Sequence, residues 1–421
     1  MRGMTTSKTI ARCSFCNRPR NEVKALVGND GGPHICNRCL EDGWKAYTHS
    51  QKAETAAAHK DEPLRKPREI KALLDEHVIA QEKAKTDLAI AVYNHYKRRE
   101  AQKRGVDLGV DVQKSNVLLM GPSGTGKTEL ARTIAKMLKV PFFVGDATRL
   151  TQAGYVGDDV ESLLQGLIQD ADGDIERAQW GIIFIDEFDK LARKSGRGAT
   201  GYRDVSGEGV QQALLKLLEG SKVVVPRGMG SRVGMNGGGD VFDTSNVLFI
   251  GAGSFAGVEE VIEKRVNRGS GLGFGAQART KLTKSDVYLQ VSEDDVLDFG
   301  LIPELMGRLP VITTTLDLTE DEMIRILTEP KNAIIRQFQA LFSMDGIDLQ
   351  FDEAALRAIA REAKKRPTGA RALRGIVEAV LRPYSFDAPS DESLKALRVT
   401  EDAVTGAGPA VMVREEVKAT G

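Results

Sequence analysis

Four short runs of consecutive apolar residues mark the middle of this chain, at residues 117–120, 142–144, 182–185 and 247–250. Runs of that length without polar alternation suit strands buried on both faces of a parallel sheet. Helical spacing fills the intervals. Between 209 and 219 it sets Val210, Ala213, Leu214, Leu217 and Leu218 on one face, with Gly220 as the stop. From about Thr319 helical spacing takes over. Ile334, Ile335, Phe338, Leu341 and Phe342 form one amphipathic stripe, and Leu356, Ile359 and Ala360 begin another. The pattern predicts an α/β fold, a parallel sheet flanked by helices, followed by a small, mostly helical C-terminal domain.

The N-terminal part reads differently. All four cysteines lie within the first 40 residues, and residues 51–66 are polar, Ala-rich and unpatterned, as a linker is. The expected division is a cysteine module (1–50), a linker (51–66), a large domain (67–316), a small C-terminal domain (317–415) and a tail (416–421).

Composition narrows the partners. Lys plus Arg and Asp plus Glu both number 59, a net charge of zero that argues against a general nucleic-acid binder. No apolar run approaches the ~18 residues of a membrane span. Met1 to Ile10 is polar and lacks a signal-peptide stretch. With no cysteine beyond residue 40 to form a disulfide, a reducing cytoplasm is the expected compartment.

Chemistry enters after the first apolar run. Val117-Leu-Leu-Met120 leads into Gly121-Pro122-Ser123-Gly124-Thr125-Gly126-Lys127-Thr128-Glu129, and Leu130, Ile134 and Leu138 then open a helix. Strand, glycine loop and helix follow in the order of a phosphate cradle. Gly124 and Gly126 let backbone amides turn toward the β-phosphate, and the helix N-terminus adds partial positive charge. Lys127 is expected to reach the β- and γ-phosphates of ATP and the Thr128 hydroxyl to bind Mg²⁺. The run at 182–185 ends in Asp186-Glu187, where ligands of open α/β sheets collect. Asp186 is expected to hold Mg²⁺ through its water shell, and Glu187 to polarise the attacking water.

Cys13-x-x-Cys16 and Cys36-x-x-Cys39 are separated by nineteen residues, within the range of a four-cysteine Zn²⁺ site. Two disulfides are the other reading, but nothing else suggests secretion. His34 and His49 are not expected as ligands, because four sulfurs fill the shell.

From Cys13 to about Val413 these residues resemble the ClpX family of AAA+ unfoldases, which feed substrates into a separate barrel-shaped protease. The resemblance implies an AAA+ P-loop ATPase domain with a small C-terminal domain and an N-terminal four-cysteine zinc module. Val78-Ile79 sits where that family contacts adenine. Gly154-Tyr155-Val156-Gly157 is similar to the pore loop that grips substrate, and Arg203 lies in the segment around a second pore loop. Leu272-Gly273-Phe274 resembles the loop that docks on the protease. Arg308 matches an arginine finger, and Arg371 the second sensor. The resemblance further implies a homo-hexamer, a ClpP-like barrel protease as partner, tagged or unfolded protein substrates and adaptors, and no protease site in the chain itself. Read from the residues alone, Tyr155 and Val156 also fit a buried turn, and Leu272 and Phe274 a loop folded on its own surface. Arg308 and Arg371 alone would be ordinary surface arginines.

Two departures stand out. Ala80-Gln81 follows Ile79 where the family usually has Gly-Gln, a change expected to leave adenine binding intact. Residues 226–239 are glycine-rich where the family usually has a basic Arg-Lys-His loop, so the expected preference for carboxyl-terminal degradation tags is shifted or weakened. A stand-alone remodelling chaperone would share the ATPase and pore. A nucleic-acid motor is disfavoured by Asp158-Asp159, which would repel phosphates beside the pore loop.

Overall fold

In the computed structural model of the chain, the described residues are 11–29, 32–44, 46–47, 65–106, 109–110, 112–151, 158–193, 207–225, 239–269 and 284–415. The expectations for Tyr155, Val156, Arg203, Leu272, Gly273 and Phe274, for nearly all of the linker, for residues 226–238 and for the tail lie outside them. Two compact units divide the chain, Met1–Leu64 and Arg65–Gly421.

The first unit pairs Leu26–Gly28 with His34–Cys36 as antiparallel strands, and residues 37–44 are helical. Among its described residues only Cys13 and Cys36 are buried, while Phe15, Val27, Leu40, Trp44 and Tyr47 are each more than half exposed. So small a module cannot be held by apolar burial, and its stability has to come from the cysteines.

The second unit opens with α1 (Pro67–Asp75) and α2 (Glu82–Lys103). Pro67 begins α1 where a missing N–H is harmless, and Glu69 accepts from the Lys66 amide at 2.9 Å. Five strands then form one parallel sheet: β1 (Val117–Met120), β2 (Phe142–Asp146), β3 (Ile182–Asp186), β4 (Leu248–Gly253) and β5 (Val311–Thr314). Their spatial order is β5-β1-β4-β3-β2. Every residue of β1 and residues 182–185 of β3 are fully buried, which the unbroken apolar runs anticipate.

Two details differ from the expected pattern. The run at 247–250 is a strand from Leu248 to Gly253, ending three residues later than its apolar core. Gly251 and Gly253 continue it because Phe188 and Asp189 press on the strand there, and a side chain at Gly253 would collide with the Asp189 carboxylate. The edge strand β5 is too short and too rich in threonine to stand out by pattern, and it exists by pairing with β1.

Helix α3 (Lys127–Leu138) follows β1 and buries Leu130, Ala131, Ile134 and Ala135. Helix α4 (Glu208–Glu219) buries Val210, Leu214, Leu217 and Leu218, and Gly220 ends it at φ 93°. After β4 come α5 (Val258–Gly269) and α6 (Lys284–Leu289).

Beyond β5 a second hydrophobic core begins. Leu316 packs against the first core and Leu318 belongs to the second. Helices α7 (Glu320–Thr328), α8 (Ile334–Met344), α9 (Glu353–Lys365) and α10 (Arg371–Asp387) surround it. Ile335, Phe338 and Phe342 face inward from α8, but Leu341 is 55% exposed, on the outer side of the stripe assigned to it. The region also holds a three-stranded sheet, β6 (Asp348–Phe351), β7 (Leu394–Val399) and β8 (Val411–Arg414), with β7 central. Its short alternating segments are weak signals beside four amphipathic helices.

Candidate nucleotide and zinc sites

The glycine loop leaves the carboxyl end of β1 and closes on α3. Gly121, Gly124 and Gly126 take φ values of 142°, 79° and 95°, reached at no steric cost by glycine alone. A side chain at Gly121 would strike Thr315, and one at Gly124 would strike the Thr368 carbonyl. The loop is held from outside as well. Gly121 N–H donates to Gly253 O at 3.2 Å, Thr125 Oγ1 lies 2.6 Å from Thr315 Oγ1, and Thr125 also donates to Pro122 O at 2.9 Å. Pro122 is half-buried, and Ser123 and Glu129 face solvent.

Lys127 is buried and donates to Gly121 O at 2.6 Å and Pro122 O at 2.8 Å. Burial lowers its pKa to about 8, with Arg371 pushing the same way and Asp186 and Asp189 opposing. Arg371, the first residue of α10, is therefore close enough to act on the phosphate loop from the small domain. Thr128 Oγ1 stands 3.5 Å from Asp186 Oδ2, the pair of hard oxygen donors that Mg²⁺ prefers. Glu187 follows, exposed, at φ 54°. A left-handed backbone at a non-glycine residue is a strain often stored at functional positions.

Val78 and Ile79 are buried, Val78 against Gly126 of the loop, and both line a cleft of about 650 Å³ together with Gln81, Thr314, Leu316 and Asp317, to which residues 121–129 do not contribute. Ala80 and Gln81 both lie in the left-handed region, at φ 58° and 64°. Alanine there strains the backbone by roughly 1–2 kcal/mol, which gives a physical reason for glycine at that place. Arg308 sits elsewhere. Its guanidinium pairs with Glu219 Oε1 at 2.9 Å, and its carbonyl accepts from Asn116 Nδ2 at 3.0 Å, at the amino ends of β1 and β5.

Several neighbours escaped the sequence reading. Asp189, three residues past Asp186, is buried and accepts from Ser254 N at 3.1 Å and Ser254 Oγ at 3.2 Å. Its spacing from Asp186 was the available signal. Thr315 and Ser254 gave none, being single hydroxyl residues brought to the loop only by the sheet order.

In the N-terminal unit the four cysteine sulfurs lie within 4.8 Å of one another. Cys16 Sγ and Cys36 Sγ are 3.6 Å apart, close to the ~3.8 Å that a tetrahedron with Zn–S of ~2.3 Å requires and far beyond a disulfide. Backbone amides serve the sulfurs: Cys36 N–H donates to Cys13 Sγ at 3.3 Å and Cys39 N–H to Cys36 Sγ at 3.5 Å. Burial pushes the Cys13 thiol up, but amides of Cys16, Phe15 and Cys36 outweigh it and bring the pKa to about 6. Cys39 is pushed up to about 12, first by its hydrogen bond with Cys16. A Zn²⁺ ion fits this donor set.

A glycine cradle with a buried lysine, and a threonine–carboxylate pair at the end of a β5-β1-β4-β3-β2 parallel sheet, define a P-loop ATPase of the AAA class. Residues 112–312 match the profile of the AAA domain (Cdc48 subfamily), residues 11–45 that of the ClpX C4-type zinc finger, and residues 318–400 that of the C-terminal, D2-small domain of ClpB protein. The chain is 48% identical over 394 residues to the ATP-dependent Clp protease ATP-binding subunit ClpX of Treponema denticola, covering 93% of each chain. It is 46% identical over 420 residues to the ClpX 3 subunit of Methylococcus capsulatus, covering 97% of this chain and 96% of that one. The chain belongs to the ClpX family, and it is an ATP-dependent unfoldase of that family with ATP, Mg²⁺ and Zn²⁺ as cofactors, not itself a protease.

Proposed function

We propose that this ATPase works as a homo-hexameric ring that unfolds tagged or adaptor-delivered proteins and threads them into a ClpP-like barrel protease in the cytoplasm. Among the described residues no helix is long and apolar enough to cross a membrane. In this reading the 121–126 backbone and Lys127 hold the phosphates, Thr128 and Asp186 hold Mg²⁺, and Val78 and Ile79 face adenine. Mg²⁺, when bound, offsets phosphate charge. Glu187 polarises the attacking water, and Arg371 senses the nucleotide from the small domain. The segment around Leu316 and Leu318 is the hinge between large and small domains. Tyr155, Val156 and Arg203 line the pore, and Leu272, Gly273 and Phe274 dock on the protease.

The observation that carries the reading is the placement of Arg308. Lys127, Thr128, Asp186 and Glu187 gather at the carboxyl end of the sheet. Arg308 is anchored through Asn116 at the amino end, about 13 Å of strand away. An arginine so placed is turned away from its own phosphate loop, which supports a role in the site of a neighbouring subunit. A ring also suits the energetics. One grip by a side chain the size of Tyr155 or Val156 gives roughly 1.5–3 kcal/mol, against ~5–15 kcal/mol for a folded substrate. Several grips and repeated ATP turnover are needed to hold and pull again.

The test is ATP-dependent loss of a folded, tagged fluorescent protein with and without the barrel protease. Deleting residues 270–275 should abolish degradation and spare ATP hydrolysis and unfolding. Persistent degradation by that deletion would remove the docking assignment, and no unfolding by the intact chain would remove the reading altogether.

A further inference from the structure

Arg308 is held within its own chain by a single carboxylate oxygen. Its Nε lies 3.2 Å and its Nη2 2.9 Å from Glu219 Oε1, so one side of the guanidinium is gripped. The Nη1 end makes no hydrogen bond among the described residues. A guanidinium carries five donors in one rigid plane. Holding its Nε side therefore sets the direction of the outer Nη1–Nη2 edge, the fork that fits a phosphate.

Glu219 stands where an acid is disfavoured. It is the last residue of α4, at the negative end of the helix dipole. The backbone around it is fixed. The Leu217 carbonyl accepts from Thr244 Oγ1 at 2.9 Å and Lys114 Nζ at 3.4 Å, and the Leu218 carbonyl from Asn116 Nδ2 at 3.3 Å. The same Asn116 nitrogen donates to the Arg308 carbonyl at 3.0 Å, while its oxygen accepts the Phe249 N–H at 3.2 Å. Asn116 is 1% exposed. One buried amide thus ties the main chain beside Glu219 and that of Arg308 to a common point on the sheet. The two side chains are half in solvent, where an ion pair adds little to stability. What the pair does supply is orientation.

We propose that Glu219 is the positioning residue of Arg308, holding the guanidinium by its Nε side and leaving the outer fork for the γ-phosphate bound by the next subunit. This role rests on the neighbour-site reading of Arg308 above, and it names the residue that sets the geometry of that arginine.

The test is steady-state ATP hydrolysis by full-length rings. Glu219→Ala should lower kcat about three- to tenfold, since the arginine stays but loses its orientation, with KM for ATP hardly changed, as for a contact made in the transition state. Its melting temperature should hardly move, because the carboxylate works against the helix dipole. Glu219→Gln keeps an acceptor oxygen and should retain about half or more of the wild-type rate. Adding Glu219→Ala to Arg308→Ala should cost nothing further, because residues that act as a unit do not add. Rings mixed from Glu219→Ala and Arg308→Ala subunits should reach no more than the mean of the two alone, since both residues serve the same side of each junction. An unchanged kcat, a kcat loss matched by a lower melting temperature, a further loss in the double variant, or recovery above the mean in the mixture overturns the positioning role. Normal hydrolysis by Arg308→Ala sinks the neighbour-site reading and the positioning role with it, whereas a slow Arg308→Ala beside a normal Glu219→Ala sinks the positioning role alone.

Discussion

The side-chain amide of Gln81 pairs twice with the main chain of Leu316: Nε2 donates to the Leu316 carbonyl at 2.9 Å, and Oε1 accepts the Leu316 N–H at 2.8 Å. Gln81 follows Val78 and Ile79 and is 6% exposed, while Leu316 stands where the first core gives way to the second. The turn before α2 and the segment between the two cores are thus joined by one buried side chain. Gln81→Ala should lower stability by about 2 kcal/mol, because it leaves a buried N–H and C=O without partners. Gln81→Glu keeps an acceptor for the N–H but sets a buried carboxylate against the Leu316 carbonyl, and should lose at least as much at neutral pH. Urea denaturation of the three proteins checks the order, and equal stabilities would show that the pairing is incidental.

Glu187→Gln should preserve the fold, since glutamine tolerates the same left-handed backbone about as well. It should bind ATP yet hydrolyse it about 10²–10⁴-fold more slowly, the range lost with a general base. Single-turnover hydrolysis beside direct nucleotide binding separates the two effects. Near-normal hydrolysis would remove Glu187 from its role.

Lys127 predicts a proton uptake. Its pKa is about 8 in the folded chain against an ordinary 10.5. Between those values the unfolded chain holds a proton the folded one lacks. The burial penalty is therefore full below pH 8 and is relieved as pH rises toward 10.5, so this group adds stability with rising pH in that window. Phosphate binding works in the opposite direction, because it needs the charged ammonium. ATP affinity should fall by up to about tenfold per pH unit above 8. Calorimetry at pH 9 in buffers of different ionisation enthalpy should show protons taken up on binding, and buffer-independent heats would contradict the assignment.

Zinc removal should act on one unit only. The cysteine module has no buried apolar side chain among its described residues to hold it, so chelation should unfold it. ATP hydrolysis by the second unit should continue. Far-UV circular dichroism of the isolated residues 1–64, with and without chelator, and the ATPase rate of the full chain measure the two halves of this expectation.

Much of this was legible in the sequence, for identifiable reasons. Residues 117–120 and 182–185 announced buried strands because no polar residue interrupts them, and the phosphate loop was readable because its chemistry is local. The same reasoning fails where tertiary contacts decide. Gly251 and Gly253 extend β4 only because Phe188 and Asp189 press on the strand. Leu341 fits a helical stripe by spacing, yet lies on the outer side of a helix whose inward face is Ile335, Phe338 and Phe342. Ser254, Thr315 and Gln81 reach the site through the sheet order and a long-range pairing, for which adjacent residues carry no signal.

Arg308 offers the sharpest test of assembly. Arg308→Ala should reduce ATP hydrolysis by about 10³-fold or more if the residue acts as a finger on a neighbour's phosphate. That loss alone does not distinguish a neighbour's site from its own. Mixing does. A ring combining Arg308→Ala subunits with Glu187→Gln subunits contains some junctions where an intact Glu187 faces an intact Arg308 from the next subunit. Those junctions should hydrolyse ATP, so the mixture should be more active than either variant alone. Were Arg308 to act within its own chain, every site in the mixture would lack one of the two residues and activity would stay at the level of the separate variants. The geometry favours recovery, since Arg308 is fixed at the amino end of β1 and its own Lys127 lies past the carboxyl end.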